Sequence, residues 1–283
     1  MIWWSPDADP VAIQSLMPWL STACRAALGV GAASWHGDGM TRPRLDLPGL
    51  LDLALPRVCA GCGHGPQTLC PTCLHELAAA CFVGGPALVR PNPTPPELPG
   101  TWACAAYAGV LARVVPAYKD SGRRDLRALL AVLLGRATRC ALAAASSPAH
   151  VPARAAHRPG SSPTALVPLP SSRRATRQRG DRPVAALARL SASELGLPVY
   201  EALRVTGHVR DAVGLGSAER ARNVSGAMRA DPRLRARPVI LVDDVMTTGA
   251  SMAEAVRAVR AVGGLVAGQA VIAASPRQAH GRP

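Results

Sequence analysis

One stretch of the sequence decides the fold: Val239-Ile240-Leu241-Val242-Asp243-Asp244-Val245-Met246-Thr247-Thr248-Gly249-Ala250-Ser251. Its four leading residues are apolar, which predicts a strand buried on both faces at 239–242. The two acids that follow lie at the carboxyl end of this strand, where open α/β sheets bind their ligands. A Thr-Thr-Gly turn then leads into a predicted helix at 250–262. The stretch therefore predicts a strand, a loop and a helix with a ligand site between them.

The loop and the start of the helix together predict a site for a phosphate group. Backbone N–H groups of the turn, the hydroxyls of Thr247, Thr248 and Ser251, and the positive end of the helix dipole all favour an anion. The carboxylates of Asp243 and Asp244 would repel a bare phosphate. They indicate a phosphorylated sugar whose hydroxyls donate to them, or a ligand that brings a divalent cation. The alternative is an aspartate helix cap beside an incidental Thr-Gly turn.

Strand and helix patterns alternate from residue 101 onward. Strands are predicted at 102–107, 165–169, 239–242 and 265–273, an extended segment at 198–205, and helices at 125–145, 184–195 and 250–262. This alternation predicts an α/β fold with a mainly parallel sheet flanked by helices.

The domain organisation is predicted from a change of pattern at a proline-rich stretch. Residues 91–100 are predicted as an extended linker between a small module at 45–90, with short helices at 45–56 and 74–82, and an α/β domain at 101–275. Residues 1–44 are interpreted as an amino-terminal extension and residues 276–283 as a tail.

Four cysteines between residues 59 and 73 have the spacing C-x2-C-x7-C-x2-C. Each C-x2-C turn brings two thiolates to one point, and two such turns complete the tetrahedron of sulfur ligands that structural zinc prefers. The predicted zinc ligands of this cysteine knuckle (residues 59–73) are Cys59, Cys62, Cys70 and Cys73. Disulfides and free buried thiols are the alternatives, and disulfides are disfavoured in a cytoplasmic chain. The sequence offers further thiols and imidazoles that we interpret as neighbours or incidental residues: His64, His75, Cys24, Cys81, Cys104 and Cys140.

The net charge of +14 is unevenly distributed. Residues 1–100 carry a net charge of −2 and residues 101–283 a net charge of +16, and Lys119 is the only lysine among 32 basic residues. Guanidinium groups bind phosphate oxygens through paired hydrogen bonds, which favours phosphate chemistry in the carboxyl-terminal part; a GC-biased genome is the alternative source of the arginines. The acidic amino-terminal part argues against a DNA-binding zinc module. An aromatic content of 3% argues against a protein that stacks single-stranded bases, and 48% hydrophobic residues argue against disorder.

Five arginines and one acid lie between residues 171 and 182, directly after the predicted strand at 165–169. Such a cluster can clamp a pyrophosphate, bind a nucleic-acid backbone, or form a solvated surface loop. Its position after a strand end favours a role at the mouth of the ligand site.

Residues 1–40 carry no predicted targeting signal. They lack a basic start and are interrupted by acids and a proline, and no stretch of the chain reaches the roughly 18 uninterrupted apolar residues of a membrane span. We therefore expect a cytoplasmic protein without membrane insertion, and whether residues 1–39 belong to the mature protein stays open.

The stretch at 239–251 resembles the signature with which type I phosphoribosyltransferases bind phosphoribosyl pyrophosphate (PRPP). With the cysteine knuckle, the chain from residue 48 to residue 273 resembles the ComF/GntX family. The matching stretches are those at 55–62, 70–73, 107–110, 118–123, 167–170, 179–180 and 219–224. The resemblance implies a type I phosphoribosyltransferase-like α/β fold preceded by a small zinc-ribbon-like module.

The resemblance also implies a role for each part of the site. As catalytic acids, Asp243 and Asp244 would contact the ribose hydroxyls. The 5′-phosphate would bind to Val245, Met246, Thr247, Thr248, Gly249, Ala250 and Ser251. The pyrophosphate side would be formed by Pro170, Ser171, Ser172, Arg173, Arg179 and Lys119. Mg²⁺ would bridge pyrophosphate and ribose oxygens, and a nucleobase would be the acceptor.

Two departures from the family pattern concern the side of the second substrate. The family usually has Arg-Gly-Phe-Asn-Gln where this chain has residues 179–183, and a glutamine is common where Asp211 stands.

The sequence therefore leaves two candidate functions. One is an enzyme that transfers a phosphoribosyl group from PRPP. The other is a non-catalytic or PRPP-sensing, competence-associated protein that acts with single-stranded DNA or with DNA-processing proteins.

Overall fold

The structure is a computed structural model, and it describes residues 58–91, 94, 98–146, 163–170, 182–206 and 226–275. Within these ranges it contains five α-helices and seven strands, with two short 3-10 turns at Arg124–Leu126 and Pro232–Leu234. The helices are α1 (Pro71–Ala80), α2 (Gly109–Lys119), α3 (Arg127–Ala145), α4 (Pro183–Leu195) and α5 (Ala250–Ala261). The strands are β1 (Ala87–Val89), β2 (Thr101–Ala106), β3 (Ala165–Pro168), β4 (Leu203–Val205), β5 (Met228–Ala230), β6 (Pro238–Met246) and β7 (Leu265–Ala274).

Five of the strands form the central sheet in the order β1-β2-β7-β6-β3. Strands β2, β7, β6 and β3 are parallel neighbours, and only the edge strand β1 pairs antiparallel. Strands β4 and β5 form a separate antiparallel ribbon. The predicted mainly parallel sheet flanked by helices is therefore confirmed. All the parallel strands have their carboxyl ends at one edge, which is where the acids of β6 lie.

The two faces of the sheet are covered by two apolar clusters. Along β6, Ile240 and Val242 pack with α2, α3 and α4, while Val239 and Leu241 pack with α5 and the β4–β5 ribbon. This alternation is the period of two expected for a strand. All four side chains are fully buried, because helices cover both faces.

Most predicted elements appear within a few residues of their predicted limits, and α2 is the clear exception. The sequence contains breakers here, since Gly109 begins the helix and Pro116 lies inside it. Tertiary packing overrides them, because one side of α2 is buried at Val110, Leu111 and Val114. The strands β1 and β5 were also not predicted, since three residues are too few for a visible pattern. The predicted helix at 45–56 lies outside the described residues.

Both sides of the proline-rich stretch contribute to the core. Cys59, Leu74 and Leu77 belong to the same buried cluster as Leu111 and Val114 of α2. Strand β1, before the stretch, pairs with β2, after it. The division into a module at 45–90 and a domain at 101–275 stays a prediction, and in the described part the two share one hydrophobic core.

One helix of the described residues, Arg124–Ala145, is long and apolar enough to cross a membrane by length and composition. Half of its most apolar window is buried inside the protein. It packs on β2 and β7 and against α4. A core helix passes the same test of composition, and we interpret the apolar character of this helix as packing.

Candidate functional site

The predicted loop after β6 surrounds a single pocket. Strand β6 continues through the acid pair to Met246, because it remains paired with β7. Gly249 then takes a left-handed conformation (φ 71°), and α5 begins at the next residue. The pocket is open to solvent and is lined by Asp243 and residues 245–252. The structure thus brings the predicted phosphate loop and one of the two acids together at the amino-terminal end of α5.

A proline from the predicted linker lies against this loop. A Cβ atom at Gly249 would lie 2.7 Å from Cγ of Pro91 and 3.2 Å from Cδ2 of Leu98. Both neighbours are buried, and Leu98 packs with Met246 and Met252 in the cluster below the loop. Only glycine meets both demands at this position, a positive φ and no room for a side chain.

The second acid is held by the only lysine of the chain. Nζ of Lys119, the last residue of α2, lies 2.6 Å from Oδ2 of Asp244. The Asp244 side chain is only 6% exposed, and its Oδ1 accepts a hydrogen bond from the Val245 N–H at 2.8 Å. Burial by itself would lower the pKa of Lys119, but the carboxylates of Asp244 and Asp243 raise it above its ordinary value. Lys119 therefore stays charged and neutralises part of the acid pair.

Burial and the nearby Asp244 carboxylate also change the pKa values of Asp243 and Tyr107. Burial raises the pKa of Asp243, and the neighbouring Asp244 carboxylate raises it further. Burial also raises the pKa of Tyr107, and here again the Asp244 carboxylate adds to the effect. Tyr107 follows β2 directly, so three segments at the carboxyl edge of the sheet meet around Asp244. A ligand that donates hydrogen bonds or brings positive charge would relieve the repulsion between the two acids.

The predicted pyrophosphate side is described only in part. Pro170 follows β3, which runs parallel to β6, so it lies at the same edge of the sheet as the acids. Ser171, Ser172, Arg173 and Arg179 lie outside the described residues.

The cysteine knuckle forms a second site. The sulfur atoms of Cys59, Cys62, Cys70 and Cys73 all lie within 4.8 Å of one another, and those of Cys62 and Cys70 are 3.7 Å apart. Tetrahedral zinc with Zn–S bonds of about 2.3 Å requires sulfur atoms about 3.8 Å apart. Backbone N–H groups of Gly61 and Cys70 donate to the Cys59 sulfur at 3.4 and 3.2 Å, which stabilises a thiolate. Four sulfur donors at these distances fit zinc, and the cluster could bind it.

Of the two predicted alternatives for these cysteines, the disulfide does not appear among the described residues. All seven described cysteines are free thiols without a disulfide among them. His64 and His75 are exposed and lie outside the four-sulfur cluster.

Sequence reasoning missed the residues that hold the two sites in place. Arg113 of α2 donates to the Gly61 carbonyl oxygen, and Arg123 donates to that of Val58 at 2.7 Å. Glu254 of α5 accepts a hydrogen bond from the Met228 N–H at 2.8 Å and so joins the helix of the phosphate loop to β5. These contacts join residues 26 to 65 positions apart, and no local pattern signals them.

The comparisons with known proteins agree with this geometry. Residues 186–281 match the family of the phosphoribosyl transferase domain. The matched range includes β6, the pocket loop, α5 and β7. The match supports a phosphoribosyltransferase-like family and a function related to phosphoribosyl transfer, for which PRPP-like substrates and Mg²⁺ are general. No curated protein matches the chain. The finer resemblance to ComF/GntX stays a prediction.

Proposed function

We propose that the protein binds PRPP together with Mg²⁺ and transfers the phosphoribosyl group to a nucleobase-like acceptor with release of pyrophosphate. One observation carries the proposal. The acids at the end of β6 and the anion-binding loop that opens α5 lie side by side, and Asp243 and the loop line one pocket.

In this mechanism the loop binds the phosphate and the acids bind the sugar. Backbone N–H groups of the loop and the hydroxyls of Thr247 and Thr248 donate to the 5′-phosphate, and the dipole of α5 favours its charge. The ribose hydroxyls donate to Asp243 and Asp244. The ammonium group of Lys119 lies 2.6 Å from Oδ2 of Asp244 and offsets part of the negative charge of the acid pair.

The chemical step depends on positioning and on charge. The bond from C1 of the ribose to pyrophosphate breaks with its electron pair leaving on pyrophosphate. The lone pair of the acceptor nitrogen forms the new bond to C1, and the proton carried by that nitrogen is released to solvent. The positive charge that develops at C1 is stabilised by the acid pair at the end of β6. Asp243, which lines the pocket, would help to hold Mg²⁺ through its carboxylate, and the cation would neutralise charge on the leaving group.

Calorimetry with PRPP and Mg²⁺ tests the pocket. We expect the wild type to bind and the variant carrying Asp243→Asn and Asp244→Asn to lose binding. Asp231→Asn serves as the control, because Asp231 pairs with Arg233 outside the pocket. Absence of PRPP binding by the wild type would overturn the proposal. A screen of nucleobases for pyrophosphate release then separates an enzyme from a PRPP sensor.

The second candidate is a non-catalytic, PRPP-sensing protein that acts on single-stranded DNA. The observation that favours it is a pair of like charges on the β4–β5 ribbon, where Arg204 and Arg229 are exposed and directly opposite each other. Two like charges opposite each other repel, and an anion bound between them would relieve the repulsion. In this case the salt dependence of DNA affinity should become shallower when both arginines are replaced by alanine. An unchanged slope removes the ribbon from this candidate function.

A further inference from the structure

We propose that the cysteine knuckle positions Lys119 beside Asp244, so that zinc bound at the knuckle tightens ligand binding in the pocket at the end of β6. The identity of the ligand rests on the proposed function, whereas the mechanical connection rests on contacts within the protein. The connecting element is α2, which lies against the knuckle along its first turns and ends at the acid pair.

The knuckle packs tightly on α2. Cys59 and Cys73 belong to the same buried cluster as Val110 and Leu111. Gly61 lies so close that a Cβ atom there would be 2.5 Å from the Cys73 sulfur and 3.0 Å from Cγ2 of Val110. At Gly61 the knuckle and the helix are therefore in close contact.

Polar contacts fix α2 at both ends to backbone atoms of the same segment. Near its start, Arg113 donates to the carbonyl oxygen of Gly61 and forms an ion pair of 2.9 Å with Glu76, which follows the knuckle on α1. Just beyond its end, Arg123 donates to the carbonyl oxygen of Val58 at 2.7 Å. These acceptors lie between or directly before the cysteines, so their positions depend on the order of the knuckle.

Asp125 adds to the contact that Arg123 makes with Val58 just beyond the end of α2. It forms an ion pair of 2.8 Å with Arg123 and accepts a hydrogen bond from the side chain of Thr68, which lies inside the knuckle. The turn after α2 is therefore attached both to the beginning of the knuckle and to its middle.

Lys119 is the last residue of α2 and lies beside the acid pair at the end of β6. The helix has 11 residues and is about 16 Å long, and it connects the packing contacts of Val110 and Leu111 with the knuckle to Lys119 at its last residue. Tyr118 independently holds this end, because its hydroxyl donates to the carbonyl oxygen of Pro183 at 3.1 Å. A loosened knuckle should therefore weaken the Lys119–Asp244 pair and ligand binding without abolishing either.

The first measurement is amide hydrogen exchange of the full chain with zinc and after its removal by a chelator. We expect faster exchange in residues 109–119 and unchanged exchange in α5. The variant Arg113→Met should show the same change while it retains zinc, which covers the case in which the zinc-free protein unfolds. Arg139→Met, at an exposed position on α3, is the matched control. Unchanged exchange in 109–119 in both cases would overturn the proposal, whatever ligand the pocket binds.

The second measurement is a double-mutant cycle on PRPP affinity by calorimetry. Arg113→Met should weaken binding about 5- to 50-fold, within the usual range of coupling between sites. In a Lys119→Met background the same substitution should change affinity less than about twofold, because its effect passes through Lys119. Equal effects in both backgrounds contradict the proposal, since a general loss of folding would give that result. Failure of the wild type to bind PRPP contradicts only the proposed function, and the exchange measurement then decides the connection.

Discussion

The ammonium nitrogen of Lys119 lies 2.6 Å from Oδ2 of Asp244 and joins the carboxyl end of α2 to the acid pair of β6. Asp244 is almost fully buried, whereas a third of the Lys119 side chain is exposed. Asp244 therefore depends on Lys119 for its countercharge, whereas solvent can reach Lys119.

Replacing Lys119 with methionine should lower the free energy of unfolding by about 1–3 kcal/mol, because it leaves a buried carboxylate without its cation. Since the folded protein raises the pKa of Lys119, the lost stabilisation is one that is present at neutral pH. It disappears only as pH rises above the ordinary lysine value of about 10.4. Urea unfolding at pH 7 measures the difference. Lys119→Arg, which keeps the charge, should recover part of it, and equal stability of wild type and methionine variant would contradict the role given to the pair.

Replacing Gly249 with alanine should destabilise the protein more than the same change at Gly196. Both glycines have a positive φ, 71° and 66°. The Gly196 position has no atom within 4 Å of an added Cβ, whereas at Gly249 the Cβ would meet Pro91 at 2.7 Å. Gly196→Ala should cost about 1 kcal/mol of backbone strain, and Gly249→Ala about 1–3 kcal/mol more from overpacking. Thermal unfolding of both variants checks the order, and equal losses would show that Pro91 does not press on the loop.

Replacing Glu254 with glutamine should lower the free energy of unfolding by an amount that depends on pH. Burial by itself would raise the pKa of Glu254, but Arg257 and the N–H groups of Met228 and Gly226 hold it below its usual value. A lowered folded-state pKa contributes stability above the unfolded value of about 4.3, and this is lost as pH falls through the folded value.

We therefore expect the Glu254→Gln variant to be about 1–3 kcal/mol less stable than the wild type at pH 7, with the difference shrinking below about pH 4. Urea unfolding at several pH values measures the two curves. Glu194→Gln, at an exposed position on α4, is the control. Parallel curves over the whole pH range would argue against an ionised Glu254 as the anchor of the ribbon.

Replacing Cys62 with serine should remove zinc with little change of packing, because Cys62 is exposed while its sulfur is a member of the four-sulfur cluster. Metal analysis of the purified wild type should find about one zinc per chain. Cys140→Ser should retain the metal, since Cys140 is not part of the cluster. A wild type without zinc and with four freely titratable knuckle thiols would contradict the zinc assignment.

The agreement between sequence and structure is best where one short segment contains all the information. Strand β6, the Thr-Thr-Gly turn and α5 follow one another directly, so hydrophobic pattern and turn chemistry predicted them together. The helix α2 was missed because Pro116 and Gly109 argue against a helix locally, and only burial of Leu111 and Val114 against the knuckle and the core explains it. The second-substrate side is less well defined, because residues 171–181 and 207–225 lie outside the described residues.

The sequence by itself determined the chemistry of the two sites. The loop at 245–251 and the four cysteines each lie within fifteen consecutive residues, and the groups that bind a phosphate or a metal are set by residue type and spacing. Only the tertiary structure decided how the sites are connected. The contacts of Lys119 with Asp244, Arg113 with Gly61 and Pro91 with Gly249 join distant parts of the chain. Such pairings depend on which strands become neighbours in the sheet and on which helix packs over them, and this information is spread over the whole core.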